Sequence, residues 1–108
     1  MNPMPQTGEV WFADFGLEQK PRWVMVVARH DGGRLAVASA VLITTQFAGS
    51  PFEVTLPRVP WLKEQSYVNA QSIQPVRLTE FLRKAPGQFY PAVLEDVKRA
   101  LKKWLAFS

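Results

Sequence analysis

Trp23-Val24-Met25-Val26-Val27-Ala28-Arg29-His30-Asp31-Gly32-Gly33-Arg34-Leu35-Ala36-Val37-Ala38-Ser39-Ala40-Val41-Leu42-Ile43 is the stretch that decides the architecture. Its centre, His30 to Arg34, carries an Asp-Gly and a Gly-Gly pair, which tolerate the positive φ angles of a tight hairpin turn. Trp23 to Arg29 opens with a continuous apolar run rich in valine, which predicts a strand buried on both faces. Leu35 to Ile43 is its predicted partner. Turn chemistry and flanking pattern agree, so the rest of the chain is read outward from this hairpin.

Upstream, Glu9 to Asp14 reads as a first strand, ended by the turn-prone Asp14 to Gly16. Downstream, Phe52 to Leu56 alternates apolar and polar residues, and prolines at 51 and 57 confine it to an edge or a short ladder. Ser66 to Val76 predicts one or two short strands, and Leu78 to Lys84 a helical turn. At the end, Pro91 suits a first helical position, and Val93, Leu94, Val97, Ala100, Leu101, Trp104 and Leu105 recur at helical spacing. Glu95 and Asp96 precede Lys98, Arg99, Lys102 and Lys103, which matches the helix dipole and accounts for the basic run without any ligand. The expected fold is mainly β (α+β), a small SH3-like barrel of about five to seven strands with a C-terminal amphipathic helix. Residues 1–7 are expected to form a flexible tail and residues 8–108 a single domain.

Composition narrows the chemistry. The 108 residues are 47% hydrophobic and 20% charged, which fits one globular domain. No apolar run approaches the roughly 18 residues of a membrane span, and Met1 to Thr7 lacks a basic start and apolar core, so a cytoplasmic protein with no membrane partner is expected. With no cysteine and only His30, neither a thiolate site nor a histidine cluster can form, and no metal or cofactor is expected. A net charge of +4 favours polyanions or acidic polypeptides as partners, although a bland basic surface carries the same charge. There is no Gly-x-Ser-x-Gly elbow, P-loop, dinucleotide-binding glycine pattern or His-Glu-x-x-His. Glu9, Asp14 and Glu18 could pair as carboxylates, but so short a chain does not point to a glycosidase cleft.

What remains is Arg22 beside one strand of the hairpin and Thr44 beside the other. A turn centred on Gly32 sets Arg22 opposite residues 42 to 44. A guanidinium can hold two phosphate oxygens and stabilise charge growing at phosphorus. RNA supplies its own nucleophile in the adjacent 2′-OH, so the protein need provide neither metal nor covalent nucleophile. The plainer reading makes Arg22 a strand-end residue and Thr44 a β-former. His30 beside the turn reads as a solvated loop histidine, because no second histidine could share acid and base duty.

These residues resemble the MazF/PemK family of toxin endoribonucleases over Gly8 to Leu105. Gly8-Glu9-Val10-Trp11-Phe12-Ala13-Asp14-Phe15-Gly16 looks like the family's opening strand, and Leu17-Glu18-Gln19-Lys20-Pro21 like a shortened first loop. Arg22 with Val24-Met25-Val26-Val27 is similar to its arginine strand, and Val41-Leu42-Ile43-Thr44-Thr45 to the strand ending in its active-site threonine or serine. Phe52-Glu53-Val54, Leu56-Pro57, Ser66-Tyr67-Val68-Asn69 and the terminal helix complete the order. The family has proline directly after the arginine; this chain has Trp23 there.

The resemblance implies a toxin that cleaves single-stranded RNA without metal, with Arg22 and Thr44 as the catalytic pair. It further implies sequence-specific cuts, products bearing a 2′,3′-cyclic phosphate and a 5′-hydroxyl, a homodimer with RNA crossing its groove, and an acidic antitoxin. Lys20, Trp23, Thr45, Gln46 and Gln71 would contact RNA. Arginine, with a pKa above ~12, is a poor base, which leaves Glu18 as a speculative general base. Two other functions compete. A non-enzymatic toxin of the CcdB type would bind a topoisomerase, with the aromatic end Trp104 to Ser108 suited to a partner pocket. A catalytically inactive SH3-like nucleic-acid-binding module would use Trp11, Trp23 and Trp61 to stack bases, unless these lie in the core.

Overall fold

In the computed structural model, the residues described are 4–14, 20–30 and 32–106. Its centre is the antiparallel pair β2 (Arg22–His30) and β3 (Val37–Thr44), with Val24 opposite Leu42, Val26 opposite Ala40 and His30 opposite Val37. A one-residue slip between Val26 and Ala28 separates two registers. Gly32 lies in the connecting turn at φ +82°, as the glycines there predict, while Asp31 is outside the described residues.

Both faces of this hairpin are buried. Val24 and Val26 join Ala38, Ala40, Val76 and Phe81 in one apolar cluster; Met25 and Val27 join Val41, Ile43, Val93, Val97 and Leu101 in the other. Alternate residues therefore serve alternate clusters, as the continuous apolar run predicts. One cluster is roofed by α1 (Pro91–Leu105), which starts at the predicted proline and buries Val93, Val97, Ala100 and Leu101. On its outer face Lys98 pairs with Glu95 and Arg99 with Asp96, so part of the basic run is spent within the helix.

β1 (Val10–Ala13), β4 (Glu53–Thr55), β5 (Tyr67–Asn69) and β6 (Gln74–Arg77) fall where the sequence places strands, and a last strand, β7, spans Phe81–Lys84. Together they complete a seven-stranded antiparallel sheet in the order β4-β5-β3-β2-β1-β7, with β6 also on β3. β3 curves between partners, pairing β6 along Val37–Ala40 and β5 at Ile43 and Thr44, the bend expected of a small barrel.

The segment predicted as a helical turn at 78–84 is corrected. Only Leu78–Glu80 form a 3-10 turn, and Phe81–Lys84 are strand β7 on the edge of β1. Leu78, Phe81 and Leu82 have helical spacing, yet Phe81 is 2% exposed while Leu82 is 54% exposed. The open edge of β1 wins: Asp14 N–H donates to the Glu80 carbonyl and Ala85 N–H to that of Val10, both 2.8–2.9 Å.

The N-terminal segment is docked from Pro5, which is buried, and Gly8 N–H donates to the Val26 carbonyl at 2.7 Å. Burial pushes the Glu9 carboxyl up. Hydrogen bonds from Lys84, the Gln6 backbone N–H and the Trp11 indole N–H outweigh that and hold it below the usual carboxylate range.

Candidate active site

Arg22 opens β2 opposite Ala13 of β1, and Thr44 closes β3 opposite Tyr67 of β5. The register Val24–Leu42, continued by two residues, sets Arg22 across from Thr44 on the same face. Both line an open cleft of about 880 Å³, together with Lys20, Gln46, Phe47 and Glu53. The hairpin arithmetic is thus realised in three dimensions.

The cleft's chemistry is set by which polar groups are already engaged. Arg22 and Lys20 are exposed there. The Thr44 hydroxyl accepts the Gln46 N–H at 3.1 Å, and its own O–H has no acceptor among the described residues. A hydroxyl in that state can still donate to an oxyanion. Ser72 also lines the cleft, but it donates to the Asn69 carbonyl at 2.6 Å and accepts the Leu42 N–H at 2.8 Å, so its work is to tie a turn to β3.

Glu53 is the one carboxylate lining this cleft among the described residues. Backbone N–H groups of Ala48 (2.9 Å) and Ser50 (2.7 Å) hold it below the ordinary carboxylate value of 4.5, which suits a brace for loop 47–50 and not a base. Because folding lowers this pKa, the brace is complete above 4.5 and is lost as pH falls through the depressed folded value. Protection of the Ala48 and Ser50 amides against hydrogen exchange, taken relative to their intrinsic rates at each pH, should therefore fall selectively in acid, and Glu53→Gln should already lack that protection at neutral pH. Equal rates in the two proteins at pH 7 would refute the brace. Loop 47–50 matters to the cleft because Phe47 stacks on Tyr67, centroids 4.5 Å apart, at its rim.

The other predicted contacts divide. Lys20 and Gln46 line the main cleft. Trp23 and Thr45 line a cavity of about 330 Å³ that runs from Arg22 and Thr44 around the strand ends, also bordered by Gln46. Gln71 does not line either; it sits exposed in the 3-10 turn Ala70–Ser72, where its N–H donates to Asn69 Oδ1. Its neighbours Asn69 and Ser72 face the cleft instead. Glu18 is outside the described residues. His30 lies at the far end of β2 from Arg22, roughly 26 Å away along an extended strand, hydrogen-bonded to Ser39. Among the described residues no group of three His, Cys, Asp or Glu gathers as a metal site. Sequence reading missed Phe47, Glu53, Asn69 and Ser72; strand parity around Thr44 and Tyr67 was the available signal.

Comparison with known families decides what kind of protein carries this cleft. The family described as "PemK-like, MazF-like toxin of type II toxin-antitoxin system" matches residues 6–105. The chain belongs to that family. No curated protein matches the sequence. Solved structures share the PemK/MazF fold. An endoribonuclease in complex with its cognate antitoxin from a Mycobacterial species aligns with TM-score 0.81 at 24% identity, over 97% of this chain and 98% of that one. MazF of a MazE–MazF complex from Deinococcus radiodurans gives 0.80 at 22% identity, over 99% and 100%. The Mycobacterium tuberculosis toxin MazF-mt6 gives 0.77 at 21% identity, over 93% and 98%. The seven-stranded antiparallel sheet with one terminal helix is thus the architecture of MazF toxins.

Within this PemK/MazF domain, the Thr44 O–H, which has no acceptor among the described residues, has a testable consequence. Thr44→Ser should retain most RNA cleavage, whereas Thr44→Val, of equal shape, should lose about tenfold, the worth of one hydrogen bond to a charged group at 1.4 kcal/mol per decade. Equal rates for valine and serine would remove the hydroxyl from the chemistry.

Proposed function

We propose that this toxin is a metal-independent endoribonuclease that cuts single-stranded RNA at specific sequences. The observation that carries the reading is the placement of Arg22 and Thr44 on one face of the same open cleft. The phosphate to be cut lies against the Arg22 guanidinium, which stabilises charge growing on the phosphoryl oxygens, while the Thr44 O–H donates to one of them. The ribose 2′-OH attacks the adjacent phosphorus in line. The P–O5′ bond breaks, leaving a 2′,3′-cyclic phosphate on one product, and the departing oxygen takes a proton from water in the open cleft to become a 5′-hydroxyl. Glu18, two residues before Lys20 in the sequence, is proposed as the base that accepts the 2′-OH proton. Glu18→Gln should lower the rate and flatten the acid limb of its pH profile; an unchanged rate and profile would exclude it.

RNA is proposed to cross the groove of a homodimer. An acidic antitoxin segment would compete for the same cleft, where Lys20 and Arg22 offer charge and Phe47 an aromatic anchor. Two of the solved relatives are themselves complexes with antitoxins, which supports that partner class. The topoisomerase-binding alternative rested on the aromatic C-terminus. Trp104 packs edge-on against Phe52 at 5.4 Å and is 41% exposed, so much of it is used within the domain. Purified protein incubated with long single-stranded RNA in EDTA should give discrete fragments with 5′-hydroxyl ends, and uncut RNA across several sequences would overturn the reading.

A further inference from the structure

Beside the 330 Å³ cavity, and sharing Trp23, Thr44 and Thr45 with it, lies a further cavity of about 370 Å³. Its walls include Trp23, Trp61, Arg83 and Glu64, and it meets the main cleft at Thr44, which lines both. Strand register builds it. Phe12 of β1 pairs with Trp23 on one side and Arg83 of β7 on the other, so three side chains form a row across the sheet. The Arg83 guanidinium sits 5.1 Å from the Phe12 ring centroid and 5.3 Å from that of Trp23. Trp61 stands edge-to-face to Trp23 at 6.0 Å. It is backed by Gly87, where a Cβ would come within 2.8 Å of the indole nitrogen.

Ring packing within the fold engages these side chains only in part. Arg83 has no carboxylate partner among the described residues and is exposed, though its two aromatic contacts fix it. Trp23 and Trp61 are half-buried, each retaining accessible ring surface on the cavity wall. A cavity with indole walls, a guanidinium and a carboxylate is suited to a splayed nucleobase.

We infer that this cavity is a guanine-binding subsite that takes a base flanking the phosphate held at Arg22 and Thr44. The inference rests on the ribonuclease reading for its orientation only. Guanine alone among the four bases offers two adjacent acceptors, O6 and N7, to an arginine fork and two adjacent donors, N1–H and N2–H, to a carboxylate. Cytosine matches the fork but gives Glu64 a single donor site, and adenine and uracil match neither pair.

The test uses a fluorescently labelled oligo-deoxyuridylate, which has no 2′-OH to react, carrying a single guanine, adenine or cytosine. Sliding along the uniform strand lets the odd base find the subsite. The guanine oligonucleotide should bind at least tenfold more tightly than the adenine or cytosine one, by fluorescence anisotropy at fixed salt. That gain should vanish in Arg83→Ala and shrink in Glu64→Gln, while the plain oligomer loses only about one phosphate contact. No gain for guanine, a larger gain for cytosine, or a gain that survives both substitutions overturns the subsite. The matching ribo-oligonucleotide separates the two ideas: a guanine gain without strand scission keeps the subsite and sinks the ribonuclease, and scission without base preference does the reverse.

Discussion

Replacing Arg22 with alanine should slow RNA cleavage by roughly 10²–10³-fold, the usual cost of removing one preorganised donor from a developing oxyanion. The side chain is exposed at the start of β2, so unfolding free energy should move by less than about 0.5 kcal/mol. Binding of the uncleavable oligonucleotide should fall far less than the rate, because most of the loss belongs to the transition state. Arg22→Lys should recover part of the rate, since a lysine keeps the charge and forfeits the two-pronged geometry. Single-turnover cleavage beside thermal unfolding of the same samples measures both quantities. A variant within threefold of the parent rate would move the chemistry elsewhere in the cleft.

Phe81→Ala should be the most damaging single change to the fold. Phe81 heads the fully buried side chains and joins β7 to Val24, Val26, Ala38, Ala40 and Val76, with its ring edge-on to Trp11 at 5.9 Å. Removing it costs about 3–5 kcal/mol in lost burial and cavity formation. For a domain of this size that is a drop in Tm of roughly 12 °C or more. Leu82→Ala, one residue along and exposed, should cost well under 1 kcal/mol, and this contrast distinguishes a strand from a helical turn at 81–84. Equal losses at the two positions, in urea melts with unchanged slopes, would be inconsistent with β7.

How much could be read from the chain depends on how local each feature is. The β2–β3 hairpin was legible because one short turn fixes its register, and that register alone sets Arg22 near Thr44. The terminal helix was legible because its apolar stripe is periodic over fifteen residues. Strand β7 was not, because pairing with β1 spans about seventy residues of chain, and Leu78, Phe81 and Leu82 carry a local helical pattern. The row Phe12–Trp23–Arg83 was hidden for the same reason: it exists only once β7 lies on β1. Gln71, placed near RNA from its resemblance, stands one residue from Ser72, which faces the cleft; in a 3-10 turn that step changes which side a residue presents.

The central claim, that RNA's own 2′-OH is the nucleophile in the Arg22–Thr44 cleft, is tested most directly by mapping a cut in EDTA. Cleavage is then repeated on the same RNA carrying one 2′-deoxyribose immediately 5′ to the broken bond. The account predicts that this single oxygen deletion stops cleavage at the mapped site while other sites on the strand are still cut. Scission at the deoxy position, with the rate undiminished, would mean that water or a protein group attacks instead, and the mechanism assigned to Arg22 and Thr44 would be wrong.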